Sequence, residues 1–92
     1  MNITDYCDAI NATIRINYYP NQRKRFCARI EGAEVKEKGC LASVHGNGIT
    51  PLAAIADYAK QIAGKVIVFD AFDGEKRREI QVPINLSIEE FS

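Results

Sequence analysis

The feature that most constrains the fold is an amphipathic helix signal in the second half of the chain. Thr50 is a suitable N-cap, Pro51 suits the first helical position, and Gly64 suits the C-terminal cap. Between them, apolar residues recur at helical spacing: Leu52, Ile55, Ala56, Ala59, Ile62 and Ala63. A helix with one apolar face has to bury that face, so the rest of the chain must supply a sheet for it.

Short segments around this helix have the patterns of β-strands. The predicted strands are residues 12–19, 26–30, 40–44, 66–69 and 78–82. A short helix capped by Thr4 precedes them, and we interpret the polar residues 34–39 as a surface connection. We therefore predict an α+β fold in the order α-β-β-β-α-β-β. It contains one antiparallel sheet of four to five strands, with the main helix packed on one face.

The length of 92 residues predicts a single small domain over residues 1–92, with residues 84–92 as a partly ordered, flexible tail or a last edge strand. Composition is typical of globular proteins, and no apolar run approaches a membrane span. The N-terminus lacks the pattern of a signal peptide, so we expect a cytoplasmic protein.

Three widely spaced cysteines, Cys7, Cys27 and Cys40, fit reduced thiols that pack as small apolar residues.

Charge is locally separated although the formal net charge is zero. From Ala9 to Ile30 the chain carries five cationic side chains and no Asp or Glu, and residues 20–24 have turn chemistry. This predicts a hairpin with a basic tip that binds phosphates, with Tyr18, Tyr19 and Phe26 available to stack on bases. The candidate contact residues are Arg15, Asn21, Gln22, Arg23, Lys24, Arg25 and Arg29. The alternative is a solvated hairpin whose charges protect an edge strand.

A second basic cluster is a weaker candidate for the same role. Lys76, Arg77 and Arg78 are consecutive, but acidic residues surround them and can neutralise them. We therefore regard this cluster as a secondary contact site.

No catalytic or metal-binding pattern is present in the sequence. Residues 45–48, which include His45, Gly46 and Gly48, can cradle an anion, but a flexible turn that uses glycines for positive φ is the favoured interpretation. The cysteines and His45 lack zinc-ligand spacing, and Asp70 and Asp73 suit turns. We predict a protein that is not an enzyme and has no cofactor and no metal.

Taken together, these features resemble a phage-encoded accessory protein. The segments that are similar to small phage and prophage proteins are residues 45–51, 54–59, 64–65 and 77–80. Among such proteins, the length and overall character resemble the anti-CRISPR proteins of the type I-F class.

This resemblance implies an inhibitor of the crRNA-guided type I-F Cascade (Csy) surveillance complex, acting in the cytoplasm of the infected bacterial host. Such an inhibitor contacts Cas subunits, with or without the guide RNA, and blocks hybridisation of target DNA. The alternatives are a small RNA-binding module, since α-β-β-β-α is the element order of double-stranded RNA-binding domains, a plain interaction protein, or a small enzyme near His45.

Overall fold

The computed structural model describes residues 1–88, which form two helices and seven strands. The helices are α1 (Ile3–Ile10) and α2 (Pro51–Ile62). The strands are β1 (Ile14–Tyr18), β2 (Phe26–Ile30), β3 (Ala33–Glu37), β4 (Cys40–Ala42), β5 (Gly46–Gly48), β6 (Val66–Phe69) and β7 (Arg78–Gln81).

The predicted α+β class is confirmed, but the strands form two antiparallel sheets instead of one. The first sheet has the order β1-β2-β5, and the second has the order β4-β3-β6-β7. Five strands rather than three separate the two helices, so the chain lacks the element order of double-stranded RNA-binding domains. Helix α2 packs against β5 and β2 of the first sheet.

The helix signals are largely confirmed. The hydroxyl of Thr50 accepts a hydrogen bond from the Ala53 amide at 3.0 Å, and Gly64 follows α2 with a φ of 76°. The N-cap of α1 is Asn2 and not Thr4, because the Asn2 side chain accepts from the Thr4 amide at 2.8 Å. Thr4 therefore lies within the first turn of α1.

The interpretation of residues 34–39 as a surface connection is wrong. Most of this stretch belongs to β3, which lies inside the second sheet and pairs with both β4 and β6. Ala33 and Val35 are buried, whereas Lys36 and Glu37 are exposed. The strand has the period of two expected for a sheet with one buried face, and its charged outward positions obscured that pattern.

The interpretation of residues 45–48 as a flexible glycine turn is also wrong. Gly46 and Gly48 lie in β5, and neither has a positive φ. A Cβ atom at Gly46 would overlap the carbonyl oxygen of Ala54, and one at Gly48 would overlap the Ala54 amide nitrogen. These glycines are therefore required for the close approach of α2, because the helix backbone occupies the space of their missing side chains.

One hydrophobic core combines side chains from both sheets and both helices. Its buried members are Ile3, Tyr6, Cys7, Ala28, Ile30, Ala33, Val35, Ala54, Tyr58, Ala59, Ile62, Ile67, Phe69, Val82 and Leu86. Cys27 is also buried, but Cys40 is exposed, so the prediction that all three thiols are buried is wrong for Cys40. Its position in the short edge strand β4 leaves it open to solvent.

The first part of the predicted tail packs against the N-terminus. Leu86 is a core residue, and the carbonyl of Ser87 accepts a hydrogen bond from the Ile3 amide at 2.7 Å. The last part of the predicted tail, residues 89–92, lies outside the described residues. Among residues 1–88, neither helix has the length and apolar character needed to cross a bilayer.

Candidate binding cleft on the first sheet

The two faces of the first sheet differ in chemistry. Gly46 and Gly48 contact α2. Their partners on β2, Ala28 and Phe26, therefore lie on the same face, toward the helix. The alternate positions of the three strands lie on the other face of the sheet. On that face Cys27 of β2 has Asn17 of β1 on one side and Asn47 of β5 on the other. We call this the cleft face.

A surface cleft of about 410 Å³ lies on this face. It is lined by Asn17, Tyr19, Gln22, Cys27, Arg29, His45 and Asn47. None of these residues is acidic, and most carry hydrogen-bonding groups: amides, a guanidinium, an imidazole and a phenol. Because no carboxylate lines the cleft, a polar or anionic ligand can bind there without electrostatic repulsion from the lining residues.

Arg29 supplies the fixed positive charge of the cleft. Its Nη2 donates a hydrogen bond to the Ala33 carbonyl at 3.3 Å. Over residues 1–88 no carboxylate lies within ion-pair distance of its guanidinium. Because a guanidinium has five donors, most of the hydrogen-bonding capacity of Arg29 remains available to a ligand.

The thiol in the cleft is not an activated nucleophile. Burial raises the pKa of Cys27, and the nearby positive charge of Arg29 offsets only part of this effect. The thiol is therefore neutral near pH 7, and its role is to form the floor of the cleft.

Side chains of α2 fix the position of β5 and hence of the cleft residues that it carries. The Asn47 amide donates to Oδ2 of Asp57 at 2.9 Å. Nε2 of Gln61 donates to the His45 carbonyl at 2.9 Å and to Asp57 at 3.0 Å. These bonds satisfy backbone groups that the outer edge of β5 would otherwise expose.

The predicted basic tip lies at the end of the β1–β2 hairpin, next to the cleft. Arg23, Lys24 and Arg25, which we call the basic tip, are all exposed. No ion pair within residues 1–88 involves them. Asn21 has a φ of 69° in the turn, and Gln22 lines the cleft. The tip and the cleft thus form one continuous polar surface.

Arg15 contributes less to this surface than the sequence suggested. Its Nη2 lies 2.6 Å from Oε1 of Glu31, and both side chains are more than half exposed. Glu31 lies just outside the segment that has no acidic residues, so the one-dimensional charge pattern did not reveal the pair. Arg15 is therefore partly neutralised.

The secondary basic cluster is also partly neutralised, as its acidic neighbours suggested. Arg77 lies 3.1 Å from Glu79, which also pairs with Lys36 at 3.0 Å. Hydrogen bonds from Lys36 and Arg77 hold the pKa of Glu79 below its ordinary value. The Arg78 guanidinium stacks 4.9 Å from the centre of the Phe69 ring. This cluster belongs to the second sheet and does not line the cleft.

Sequence reasoning missed part of the cleft. Asn17 lies in the predicted strand 12–19, but His45 and Asn47 lie in residues 45–48, for which the sequence favoured a turn. Their alternation with Gly46 and Gly48 was the available signal, since a strand can alternate polar residues with glycines that lie under a helix. Comparisons with protein-family models, curated proteins and solved structures found no match to this chain.

Proposed function

We propose that this protein acts by binding, and that its ligand is a single-stranded RNA segment presented by a ribonucleoprotein. The observation that carries the proposal is a cleft without acidic lining, built around Arg29 and continuous with the basic tip. Guanidinium groups bind phosphates in bidentate geometry. Arg23, Lys24, Arg25 and Arg29 lie on or beside this surface, and within residues 1–88 none of them is in an ion pair, which suits the surface to an anionic partner.

The other cleft residues favour a nucleic acid over a simple anion. Tyr19 is half exposed and can stack on an unpaired base, and such stacking tolerates any sequence. Asn17, Gln22 and Asn47 present amides that donate and accept, as the edges of bases require. A base whose face and Watson–Crick edge are both exposed is available in single strands but not in a duplex, which favours a single-stranded ligand.

The specific partner that we propose is the type I-F surveillance complex, in the cytoplasm of an infected bacterium. The resemblance to type I-F anti-CRISPR proteins supports this choice, and the cleft supplies a chemical reason. A guide RNA that is ready to pair exposes phosphates and bases, so a protein bound to it blocks hybridisation of target DNA. Exposed mixed-charge surfaces elsewhere on the protein would then meet Cas subunits.

The partner is tested by size-exclusion chromatography with a purified, crRNA-loaded type I-F complex. Co-elution followed by loss of target-DNA binding supports the inhibitor. If the protein binds free single-stranded RNA but does not co-elute, the anti-CRISPR assignment is wrong and the RNA-binding module is favoured. If neither binding is detected, the proposed function is wrong.

Two adjacent tyrosines provide a matched test of the cleft itself. Tyr19 lines the cleft, whereas Tyr18 is on the other face of β1 and packs against Phe26. Their exposed fractions are similar, at 50% and 54%. We expect Tyr19→Ala to weaken binding of a fluorescent single-stranded RNA by about 1–3 kcal/mol, measured by anisotropy. With an RNA short enough to occupy a single cleft, Tyr18→Ala is expected to bind like the wild type, and equal losses in both variants would contradict a role for the cleft.

A further inference from the structure

Among residues 1–88, no backbone hydrogen bond is made at the outer edge of β1. The Tyr19 amide donates to the Arg25 carbonyl at 2.7 Å, and the Glu31 amide donates to the Thr13 carbonyl at 2.8 Å. Hydrogen bonding alternates along an antiparallel pair, so the odd-numbered residues of β1 bond to β2. The N–H and C=O groups of Ile14, Ile16 and Tyr18 therefore point away from the sheet.

The outer edges of β5, β4 and β7 are less suited than β1 to pairing with another strand. Asp57 accepts from the Asn47 amide at the outer edge of β5, and Gln61 donates to the carbonyl of His45, which directly precedes β5. In the second sheet, β4 has only three residues, and β7 carries the charged residues Arg78 and Glu79. By contrast, β1 is a five-residue edge strand on which Ile16 and Tyr18 are 40% and 54% exposed. Exposed apolar side chains on a free edge are the features that favour pairing with another strand.

We propose that β1 pairs in antiparallel fashion with β1 of a second copy of this chain, with the two-fold axis at Ile16. In this register Ile16 faces Ile16 of the partner copy, and Ile14 faces Tyr18. All three residues have outward backbone groups, so the pairing forms six hydrogen bonds across the interface. The product is a continuous six-stranded sheet, an arrangement that closes as a dimer.

The side chains of β1 favour a second copy as the partner because they are self-complementary. Arg15 faces Asn17 in this register, so no like charges oppose one another. Ile16, Ile14 and Tyr18 bring apolar side chains together on the face that α2 covers in part. The zero net charge of the chain adds no overall repulsion between two copies.

The two-fold axis of such a pair is perpendicular to the sheet, so both cleft faces lie on the same side of the dimer. Six strands span about 24 Å between the outermost strands, at the usual strand spacing. The dimer would thus present two clefts and two basic tips to one extended ligand. The pairing itself rests only on the edge of β1 and does not depend on what the clefts bind.

The test is the molar mass of the full chain across a concentration series, by sedimentation equilibrium. We expect a dimer for the wild type and a monomer for Ile16→Lys and for Ile16→Glu, because each places like charges at the axis. The matched control is Ile84→Lys, since Ile84 is 87% exposed and lies outside the first sheet, and it is expected to remain a dimer. An equimolar mixture of Ile16→Lys and Ile16→Glu is expected to restore the dimer by pairing opposite charges.

A wild-type chain that stays monomeric at millimolar concentration would overturn the proposal, as would a dimer that survives Ile16→Lys or is lost in Ile84→Lys. Hydrogen exchange on the wild type needs no variant and covers the case in which Ile16→Lys does not fold. The amides of Ile14, Ile16 and Tyr18 should gain protection with rising concentration, while the Asn17 amide, bonded to β2, is protected throughout. Exchange of the three outward amides that does not depend on concentration would also overturn the proposal.

Discussion

At the scale of single residues, the three thiols differ in environment and should differ in reactivity. Burial raises the pKa of Cys7 to about 11, which leaves about 100-fold less thiolate than its ordinary pKa of 9.0. Burial also raises the pKa of Cys27, whereas Cys40 is exposed in β4. We expect one thiol to react rapidly with an aromatic disulfide reagent in the native protein, and the other two to react after unfolding.

The assignment is checked by comparing two variants in the same colorimetric assay. Cys40→Ser should remove the rapid phase, while Cys27→Ser should keep it and lower only the total after unfolding. Two rapid thiols in the native wild type would contradict the burial of Cys27 beneath the cleft.

The charges also show how far single residues can be interpreted from sequence. The lack of acidic residues from Ala9 to Ile30 predicted a hairpin with a basic tip, and within residues 1–88 no ion pair involves Arg23, Lys24 or Arg25. The same pattern could not reveal the pairing of Arg15 with Glu31. That pair depends on strand register, since Thr13 and Glu31 are opposite one another across the hairpin.

At the scale of secondary-structure elements, α2 approaches β5 so closely that the contact should tolerate no added side chain at Gly46 or Gly48. We expect Gly46→Ala to lower the free energy of unfolding by at least about 2 kcal/mol, because the new methyl group would force α2 away from the strand. Gly74→Ala is the matched control. No atom lies within 4 Å of its added Cβ, so we expect a change within about 0.5 kcal/mol. Urea denaturation measures both, and equal stabilities would contradict the close approach.

The elements that could be predicted are those whose signals are local. The spacing of α2 and the alternation of β1 are properties of a few neighbouring residues, and both elements form where the sequence indicated. By contrast, β3 and β5 depend on what they pack against. Charged outward residues obscured β3, and β5 is a strand because a helix covers its glycines. The division into two sheets likewise depends on pairing between distant segments, which no short window contains.

At the scale of the whole molecule, zero net charge conceals two surfaces that differ in charge. The first sheet carries the cleft and the basic tip, while Glu34, Asp70 and Asp73 line a second, acidic pocket. This acidic pocket is formed by the turn between β2 and β3, by Glu34 of β3 and by the turn after β6, and it shares no residue with the cleft. The carboxylates of the acidic pocket have Lys76 and Arg77 as neighbours, whereas the basic tip has no ion pair within residues 1–88. A polyanion that approaches the protein is therefore attracted most strongly to the tip, which favours one orientation before close contact.

This asymmetry leads to a prediction that uses two variants with the same change in charge. We expect the triple substitution of Arg23, Lys24 and Arg25 by Glu to weaken binding of single-stranded RNA by at least about 100-fold. It should also reduce the slope of log affinity against log salt by about 2, because three phosphate contacts are lost. The control replaces Lys76, Arg77 and Arg78 by Glu. Its charge change is identical, but its residues belong to the second sheet or precede β7.

Because the basic tip is exposed and contributes nothing to the core, the first triple variant should keep the wild-type circular dichroism spectrum and melting temperature. Anisotropy titrations at several salt concentrations then distinguish phosphate contacts at the basic tip from a general effect of the protein's net charge. If only the basic-tip variant loses affinity, the phosphates lie at the hairpin. If both variants lose affinity equally, the RNA responds to net charge alone, and the cleft and tip have no special role.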